Sequence, residues 1–378
     1  MIDLTAISKI LFVTGTRADF GKLEPLAVAA RNEGLKVEFF VTGMHMLEHY
    51  GLTKIEVRRL KGVEAFEFVN QRPGDPQDAV LAKTISGFSD YLVGRRPDLA
   101  VVHGDRVESL ACALVCATNY VRCAHIEGGE ISGTIDEVFR HCNTKLATCH
   151  FVSSERARLR VLKLGESPNS VFTIGSPEID AHARRSGVSI EEVRSHYDIS
   201  FGEFGTVAFH SVTSELDSIG DQARSLFAAL EASHKKFVVI LPNNDPGSEQ
   251  IFRVLDSLPR ERFRLIPSMR FAYFSELLKN SKAMIGNSSA GVREAPFLGL
   301  PSLDIGTRQT RRSPSGSISY CSAFDKSAIG EFLERHWGRK LPSHSEFGEG
   351  RAAERFIEIL NSPDFWSLPL QKSFRDNN

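Results

Sequence analysis

Short apolar runs of strand length alternate with amphipathic segments through the first half of the chain. In the amphipathic segments, apolar residues recur every three to four positions, which is typical of helices. This alternation predicts right-handed βαβ units and a parallel sheet. The predicted strands are 10–13, 37–41, 99–102, 121–126, 149–152 and 171–174, and the predicted helices begin near 23 and 46 or span 84–95, 110–117 and 139–147.

A polar stretch without a clear strand, 181–200, interrupts this pattern and is the candidate linker. The alternation then restarts, which predicts a second parallel-sheet domain. Its predicted strands are 206–209, 237–241, 264–266, 283–285 and 302–305, and its predicted helices are 221–233, 251–258, 274–278 and a segment from 291. A last helical stretch, 352–360, precedes an aromatic tail.

The length of the chain also favours two domains. At 378 residues it exceeds the size of about 250–300 residues at which a single core usually stops growing. We predict a first Rossmann-like domain at 1–178 and a second at 179–361, with the tail 362–378 packing back on the first. The expected fold class is α/β, with two Rossmann-like parallel-sheet domains around a central ligand cleft.

The composition excludes several classes of protein. Hydrophobic residues make up 42% of the chain and charged residues 25%, which is typical of soluble globular proteins. A formal net charge of −1 gives no electrostatic reason to expect nucleic acid or a membrane as a partner. Because the sequence has no signal-peptide pattern and no run of roughly 18 apolar residues, we expect a cytoplasmic protein. The six cysteines form no CxxC pair and are expected to be buried free thiols.

Three acidic residues are candidates for proton transfer. Asp105 follows the strand-like run 99–102 and Glu127 follows 121–126, so both should emerge at the same edge of a parallel sheet. Asp136 comes after a Gly-Gly turn, where the loop can fold back over this edge. Clustered carboxylates push their pKa values apart, so that one can accept a proton while another donates one.

Two glycine-containing loops have the features of anion sites. The loop TGTRADFG follows the first predicted strand, and its Arg17 has a forked cation suited to phosphate oxygens. The loop GNSSAG offers the hydroxyls of Ser288 and Ser289, and Glu294 follows as an acceptor for ribose hydroxyls. Simple helix capping is the alternative interpretation of either serine. Two anion-binding helix ends suit a diphosphate, which indicates a nucleotide ligand.

The histidines allow two interpretations. His210 follows the first predicted strand of the second domain, where it could transfer a proton or contact phosphate. His103 with Asp105, and His125 with Glu127, have a spacing that could ligate zinc or iron. Since there is no HExxH motif and each pair belongs to a different strand, we expect no functional metal.

Taken together, six motifs resemble the hydrolysing UDP-N-acetylglucosamine 2-epimerases of bacterial sialic acid synthesis. They are TGTRADFG at 14–21, VTGMHM at 41–46, HGDR at 103–106, HIEGGE at 125–130, GSP at 175–177 and GNSSAGVREAP at 286–296. The resemblance runs from about residue 10 to the end of the chain. It implies a GT-B architecture and a homodimer, with a UDP-sugar as the substrate and no cofactor or metal.

The resemblance also implies roles for individual residues. The carboxylates of Asp105, Glu127 and Asp136 are expected to be catalytic, supported by His210, which is followed here by serine where the family commonly has proline. The residues expected to bind the substrate or its UDP moiety are Arg17, Arg106, Asn244, Phe274, Asn287, Ser288, Ser289 and Glu294. The base rate for aromatic residues favours a core position for Phe274 over one that stacks on a base.

The chemistry implied by the resemblance is elimination followed by hydration. A carboxylate removes the C2 proton while UDP leaves C1, and water then adds to the 2-acetamidoglucal to give N-acetylmannosamine. The sequence does not assign the first base. Three alternatives stay open: the same reaction on UDP-diacetylbacillosamine for legionaminic acid synthesis, a GT-B glycosyltransferase, and a non-catalytic UDP-sugar sensor.

Overall fold

Two parallel sheets organise the computed structural model, which describes residues 9–48, 51–132, 135–183, 187–242, 245–310, 312–313 and 315–375. The chain divides into two compact units. Unit 1 contains Met1–Glu130, Ile135–Asp180 and Phe347–Asn378, and unit 2 contains Ile131–Thr134 and Ala181–Glu346. Each unit has its own sheet and its own hydrophobic core.

The strands of both sheets pair in parallel. The strands are β1 Lys9–Thr14, β2 Lys36–Val41, β3 Glu64–Glu67, β4 Leu99–His103, β5 Cys123–Ile126, β6 Cys149–Val152, β7 Val171–Thr173, β8 Gly205–Ala208, β9 Phe237–Ile240, β10 Phe263–Ile266, β11 Met284–Gly286, β12 Ser302–Ile305 and β13 Ile318–Cys321. Unit 1 has the order β3-β2-β1-β4-β5-β6-β7, and unit 2 has the order β10-β9-β8-β11-β12-β13. In both sheets the order reverses beside the first strand, as in Rossmann folds.

Helices connect the strands. They are α1 Arg17–Asn32, α2 Lys54–Arg58, α3 Gln77–Leu92, α4 Val107–Thr118, α5 Asp136–Leu146, α6 Glu155–Lys163, α7 Pro177–Ala183, α8 Ile190–Tyr197, α9 Ile219–Ala232, α10 Ser248–Asp256, α11 Phe271–Asn280, α12 Ser289–Val292, α13 Glu294–Phe297, α14 Lys326–His336, α15 Ala352–Leu360 and α16 Pro363–Ser367. Short 3₁₀ turns occur at Gly43–Met46, Pro168–Ser170 and Thr213–Glu215.

Every predicted strand is present, but the prediction omitted the strands β3 and β13 and the helices α6 and α14. Both missing strands lie at sheet edges. Because an edge strand is covered on fewer sides, it needs no continuous apolar run, and β3 contains two glutamates and no fully buried residue. Helix α1 also begins at Arg17 rather than near 23, since the Thr16 hydroxyl caps it by accepting the Asp19 N–H at 3.2 Å.

Aromatic side chains fill both faces of the unit 1 sheet. On one face, the rings of Phe12 and Phe39 stack with centroids 5.4 Å apart. Phe356 of α15 meets Phe151 of β6 edge-on at 4.9 Å on the same face. On the other face, Phe40 packs edge-on against a phenylalanine of α3 at 5.0 Å. Burying a side chain of this size contributes about 1.5–3 kcal/mol to stability.

The division of the chain differs from the predicted one at the point where the chain returns to unit 1. The prediction assigned only the tail from 362 to the first domain. In the structure, the chain re-enters unit 1 at Phe347, so that α15 also belongs to unit 1. Asp180 holds this helix, because its carboxylate accepts the N–H groups of Ala352 and Ala353, both at 2.8 Å. The other boundary lies at 180 rather than 178.

The predicted linker 181–200 is also largely helical. It contains the end of α7 and all of α8. Helix α8 packs on unit 2, where Val193 shares an apolar cluster with Leu277 and Glu192 accepts the Tyr273 hydroxyl at 2.6 Å. Its polar residues are therefore the solvent side of a packed helix.

No helix within the described part of the chain combines the length and apolarity needed to span a bilayer. All six cysteines are free thiols, as predicted. Cys142 and Cys321 differ from the prediction because they are half-buried rather than buried.

We expect Asp180→Ala to lower the free energy of unfolding by roughly 2–3 kcal/mol, because it leaves two buried N–H groups without an acceptor. The matched control is Asp325→Ala, which removes the exposed cap of α14 and should cost about 1 kcal/mol. Urea unfolding of both variants checks this. Equal losses would contradict the anchoring role of Asp180.

Candidate active site

The loop after β1 packs against a buried carboxylate. A Cβ at Gly15 would lie 3.2 Å from Glu108 Cδ, and a Cβ at Gly43, where φ is +63°, would lie 2.6 Å from Glu108 Oε1. Among the described residues, neither carboxylate oxygen of Glu108 has a hydrogen-bond partner. Arg106 Nε lies 3.7 Å from Glu108 Oε2. The predicted substrate residue Arg106 therefore also compensates the charge of Glu108.

Helix α1 presents two cations from its first turns. Arg17 Nη2 donates to Glu56 Oε1 of α2 at 3.3 Å. In this structure, the arginine that is predicted to bind phosphate therefore contacts a carboxylate. Lys22 Nζ lies 2.9 Å from Glu127 Oε2. The sequence analysis did not single out Lys22, because only the tertiary fold brings it to a catalytic candidate.

His103, the last residue of β4, lies between two carboxylates. Its Nδ1 is 3.1 Å from Asp19 Oδ1, and its Nε2 is 3.2 Å from Glu127 Oε2. Burial alone would lower the pKa of His103, but its hydrogen bonds to Asp19 and Glu127 outweigh burial and raise that pKa to about 9. His103 is therefore an imidazolium at neutral pH and donates to both carboxylates.

Glu127 follows β5 in a backbone conformation that is unusual for glutamate, with φ at +65°. Its N–H donates to Phe151 O at 2.9 Å, which fixes the turn. Two residues on, a Cβ at Gly129 would lie only 2.2 Å from Ala157 O, so this turn requires glycine. The Glu127 side chain accepts hydrogen bonds from Lys22 and Ser176 as well as from His103.

Asp105 leaves the strand next to Glu127, as predicted, but its carboxylate has a different partner. The two strands are joined at this edge by the Gly104 N–H, which donates to Ile126 O at 3.0 Å. Asp105 forms an ion pair with Arg140 of α5. Asp136 begins α5 and is half-buried, one helical turn before Arg140. Asp105 therefore contacts a cation of α5, whereas Glu127 contacts a cation of α1.

His125 has a structural role in this edge. Its Nε2 donates to Gly104 O at 2.8 Å, and its Nδ1 lies 3.2 Å from Thr144 Oγ1. Burial lowers the pKa of His125 to about 3, so the ring is neutral. Across the described residues, no three His, Cys, Asp or Glu side chains are grouped as a metal site.

In unit 2, Asn287 fixes the backbone of His210. The Asn287 side chain accepts the His210 N–H at 2.7 Å and donates to His210 O at 2.8 Å. Gly286 permits this approach, since φ is +127° and a Cβ would lie 2.1 Å from Ala208 O. Asn287 is buried, so the structure gives this predicted substrate residue a supporting role.

His210 is a neutral, buried imidazole. Burial lowers its pKa to about 3, with a further contribution from the charge of Arg308. Strand β8 ends two residues before it, at Ala208. The predicted substrate residue Asn244 lies outside the described residues.

The loop after β11 has both a cap and an open acceptor. Ser288 caps α12 by accepting the Ala290 N–H at 3.4 Å, and Ser289 is the first residue of that helix. Glu294 is buried, and its Oε1 lies 3.5 Å from His182 Nε2. Among the described residues, Glu294 Oε2 has no hydrogen-bond partner. A buried acceptor of this kind is costly unless a ligand hydroxyl reaches it.

Phe274 is half-buried and packs against two apolar clusters of unit 2. This packing agrees with the core interpretation of Phe274. A contact of its exposed part with a base stays a prediction.

A buried acid that the sequence analysis overlooked lies at β12. Burial raises the pKa of Asp304 to about 7, although Arg312 and Arg308 lower it. Arg308 and Gln309 both donate to Asn287 O, at 3.3 Å and 2.9 Å. The loop after β12 therefore supports the same asparagine that holds His210.

The fold and these residues define a class of protein: an α/β protein with two Rossmann-like units, each with an anion-type loop where its strand order reverses. A family model described as UDP-N-acetylglucosamine 2-epimerase matches residues 27–361. The chain belongs to this family. The predicted family and α/β fold class are confirmed.

Three curated relatives extend this finding. The chain is 41% identical to the UDP-N-acetylglucosamine 2-epimerase of Neisseria meningitidis, over 98% of this chain and 100% of the relative. It is 30% identical to the UDP-N,N'-diacetylbacillosamine 2-epimerase (hydrolyzing) of Legionella pneumophila, over 97% and 99%. It is also 30% identical to the polysialic acid biosynthesis protein P7 of Escherichia coli, over 82% of each chain.

A crystal structure of a Neisseria meningitidis UDP-GlcNAc 2-epimerase bound to UDP-GlcNAc has the same fold. The TM-score is 0.77 at 20% identity, covering 93% of this chain and 99% of that one.

We expect His103 to make stability depend on pH. Because its folded pKa of about 9 exceeds the unfolded value near 6.5, its contribution is complete below pH 6.5 and is lost as the pH rises through 9. The difference in free energy of unfolding between wild type and His103→Gln should therefore shrink by on the order of 3 kcal/mol over this range. His141→Gln, at a more exposed histidine, is the control. A difference that grows with pH would contradict the imidazolium assignment.

Proposed function

We propose that this protein is a hydrolysing UDP-N-acetylglucosamine 2-epimerase, which converts UDP-N-acetylglucosamine and water to N-acetylmannosamine and UDP. One observation carries the proposal: Glu127, held by Lys22 and His103, leaves the strand next to the one that Asp105 follows. Two carboxylates at one sheet edge suit proton removal from a weakly acidic carbon.

The proposed reaction has two stages. A carboxylate takes the C2 proton while the C1–O bond breaks and its electrons leave with UDP, which gives 2-acetamidoglucal. A proton then returns to C2 on the opposite face, and water supplies the hydroxyl at C1. We assign Asp105, Glu127 and Asp136 to these proton transfers, with the first base left open. His210 would support them as a neutral imidazole.

The proposed UDP site uses the open acceptor of unit 2. Glu294 Oε2 would accept a ribose hydroxyl, which satisfies a buried oxygen without a partner among the described residues. The start of α12 at Ser288 and Ser289 would face phosphate oxygens. Further proposed contacts of the substrate are Arg17, Arg106, Asn244 and Phe274.

The relatives support a place in surface-glycan synthesis. The name of the Escherichia coli relative refers to polysialic acid biosynthesis, and the name of the Legionella relative includes hydrolysis. We propose that the enzyme serves sialic acid synthesis, acts in the cytoplasm as a homodimer, and uses neither a cofactor nor a metal.

A second candidate substrate is UDP-N,N'-diacetylbacillosamine, favoured by the 30% identity to the Legionella enzyme over nearly the whole chain. Side-by-side turnover of the two UDP-sugars distinguishes them. A glycosyltransferase or a UDP-sugar sensor would explain the anion loops but not the acids.

We expect turnover of UDP-N-acetylglucosamine in heavy water to place deuterium at C2 of N-acetylmannosamine. In ¹⁸O-labelled water, the label should enter the sugar and not UDP, because the C1–O bond is the one that breaks. Mass spectrometry of the products measures both labels. Release of unlabelled N-acetylglucosamine, or ¹⁸O in the phosphate, would refute the proposal.

Variants should separate catalysis from binding. Asp105→Asn, Glu127→Gln and Asp136→Asn should each lower kcat by at least about a hundredfold, while UDP affinity is largely kept. Glu294→Ala should instead weaken UDP binding, since it removes the ribose acceptor. Calorimetric titration with UDP and initial rates measure the two effects. Near-normal kcat in all three acid variants would exclude the assignment.

A further inference from the structure

The C-terminal segment after α16 brings a lysine to the end of α5. Lys372 Nζ donates to Thr144 O and to Ala147 O, both at 2.9 Å. The last carbonyls of a helix have no N–H partner within the helix, and a cation at this end also compensates the helix dipole. Because Ala147 lies 225 positions before Lys372 in the chain, only the fold brings this cap to α5.

A buried carboxylate holds the ammonium group of Lys372. Glu166 contacts Lys372 Nζ through Oε2, and its Oε1 lies 2.8 Å from Lys145 Nζ. His150 Nε2 is 3.1 Å from the same Oε2. Burial alone would raise the pKa of Glu166, but its hydrogen bonds to His150 and the two lysines outweigh burial and lower that pKa to about 2. Glu166 is therefore an ionised partner that fixes the head group of Lys372.

The backbone that leads to Lys372 is also fixed. The guanidinium of Arg122, just before β5, donates to Trp366 O at 2.8 Å and to Leu368 O at 3.1 Å. The indole N–H of Trp366 donates to Leu360 O at 2.7 Å. Lys372 therefore reaches α5 from a segment that is bound to unit 1 on its own account.

The last turns of α5 hold the residue that precedes Asp105. Asn143 Nδ2 donates to Gly104 O at 3.0 Å, and the same oxygen accepts His125 Nε2 at 2.8 Å. The hydroxyl of Thr144 lies 3.2 Å from Nδ1 of that histidine. Since Lys372 donates to the carbonyl of Thr144, it acts on the same turn that contacts Gly104.

Arg140 connects α5 to the proposed catalytic groups. Its guanidinium pairs with Asp105 and also donates to Glu130 O at 3.1 Å. Asp136 is the first residue of the same helix. Energetic coupling between separated groups is carried by rigid elements and hydrogen-bond networks of this kind. A shift at the C-terminal end of α5 would therefore displace Arg140 and both acids.

We propose that Lys372 is a positioning residue, which acts through α5 to hold Asp105 and Asp136 in their reactive positions. The inference rests on the proposed function of these two acids. The proposed ribose acceptor, Glu294, belongs to unit 2. Loss of the Lys372 cap should therefore affect the chemical step rather than the binding of UDP.

We expect Lys372→Met, which keeps an unbranched apolar side chain but removes its donors, to lower kcat about three- to thirtyfold with the Kd of UDP unchanged. The variant should fold, because the Lys372 side chain is 25% exposed in the wild type. Lys372→Arg keeps N–H donors and should retain more activity. Initial rates and calorimetric titration with UDP measure the two effects.

The matched control is Arg262→Met. Arg262 donates to Glu231 O at 3.0 Å in the last turn of α9, a helix that carries no proposed site residue. Like Lys372, it is a cationic side chain that caps a helix C-terminus. Its replacement can lower stability but should leave kcat unchanged.

Hydrogen–deuterium exchange tests the inference without turnover. The amides of α5 should exchange faster in Lys372→Met than in the wild type, whereas Arg262→Met should affect α9 instead. Wild-type kcat in Lys372→Met, or a lowered kcat with unchanged exchange in α5, would overturn the positioning role and leave the proposed function intact. A wild type that makes no N-acetylmannosamine refutes the proposed function, and exchange in α5 still shows whether Lys372 holds this helix.

Discussion

The site of unit 1 depends on the ion-paired histidine His103. It joins three elements, because Asp19 belongs to α1, His103 ends β4, and Glu127 follows β5. An imidazolium between two carboxylates compensates charges that would otherwise be buried alone, at a cost of several kcal/mol each. The same contact orients Glu127 toward Lys22. The position of the catalytic candidate therefore follows from a charge balance rather than from the loop sequence alone.

This balance explains what the sequence predicted and what it did not. The emergence of Asp105 and Glu127 from adjacent strands followed from two local apolar runs and the geometry of parallel sheets. Lys22 and Glu127 are 105 positions apart, and no local pattern relates them. Ser176 was visible only as part of a family motif. The sequence can therefore indicate individual charged residues of a site, but only the fold shows which of them form pairs.

The elements of the fold also differ in how far the sequence predicts them. Central strands such as β4 were predictable because both faces are buried, which demands a continuous apolar run. Edge strands β3 and β13 lack that demand. The sequence predicted that α15 is a helix but not that it belongs to unit 1. The periodicity of apolar residues identifies a helix and does not show which sheet the helix packs on. Asp180 supplies that information through two hydrogen bonds that no sequence pattern signals.

In unit 2, two buried polar side chains, Asn287 and Glu294, differ in whether their hydrogen bonds are made within the protein. The side-chain amide of Asn287 forms hydrogen bonds with the backbone N–H and C=O of His210, so its polar atoms are satisfied within the protein. Glu294 has an equally buried position, but its Oε2 lacks a partner among the described residues. A folded protein tolerates a buried unsatisfied carboxylate oxygen at a cost of about 1–3 kcal/mol, which a ligand hydroxyl can recover. Both residues belong to the motif GNSSAGVREAP. Only their hydrogen bonds distinguish the satisfied amide of Asn287 from the carboxylate oxygen of Glu294, which we propose as the ribose acceptor.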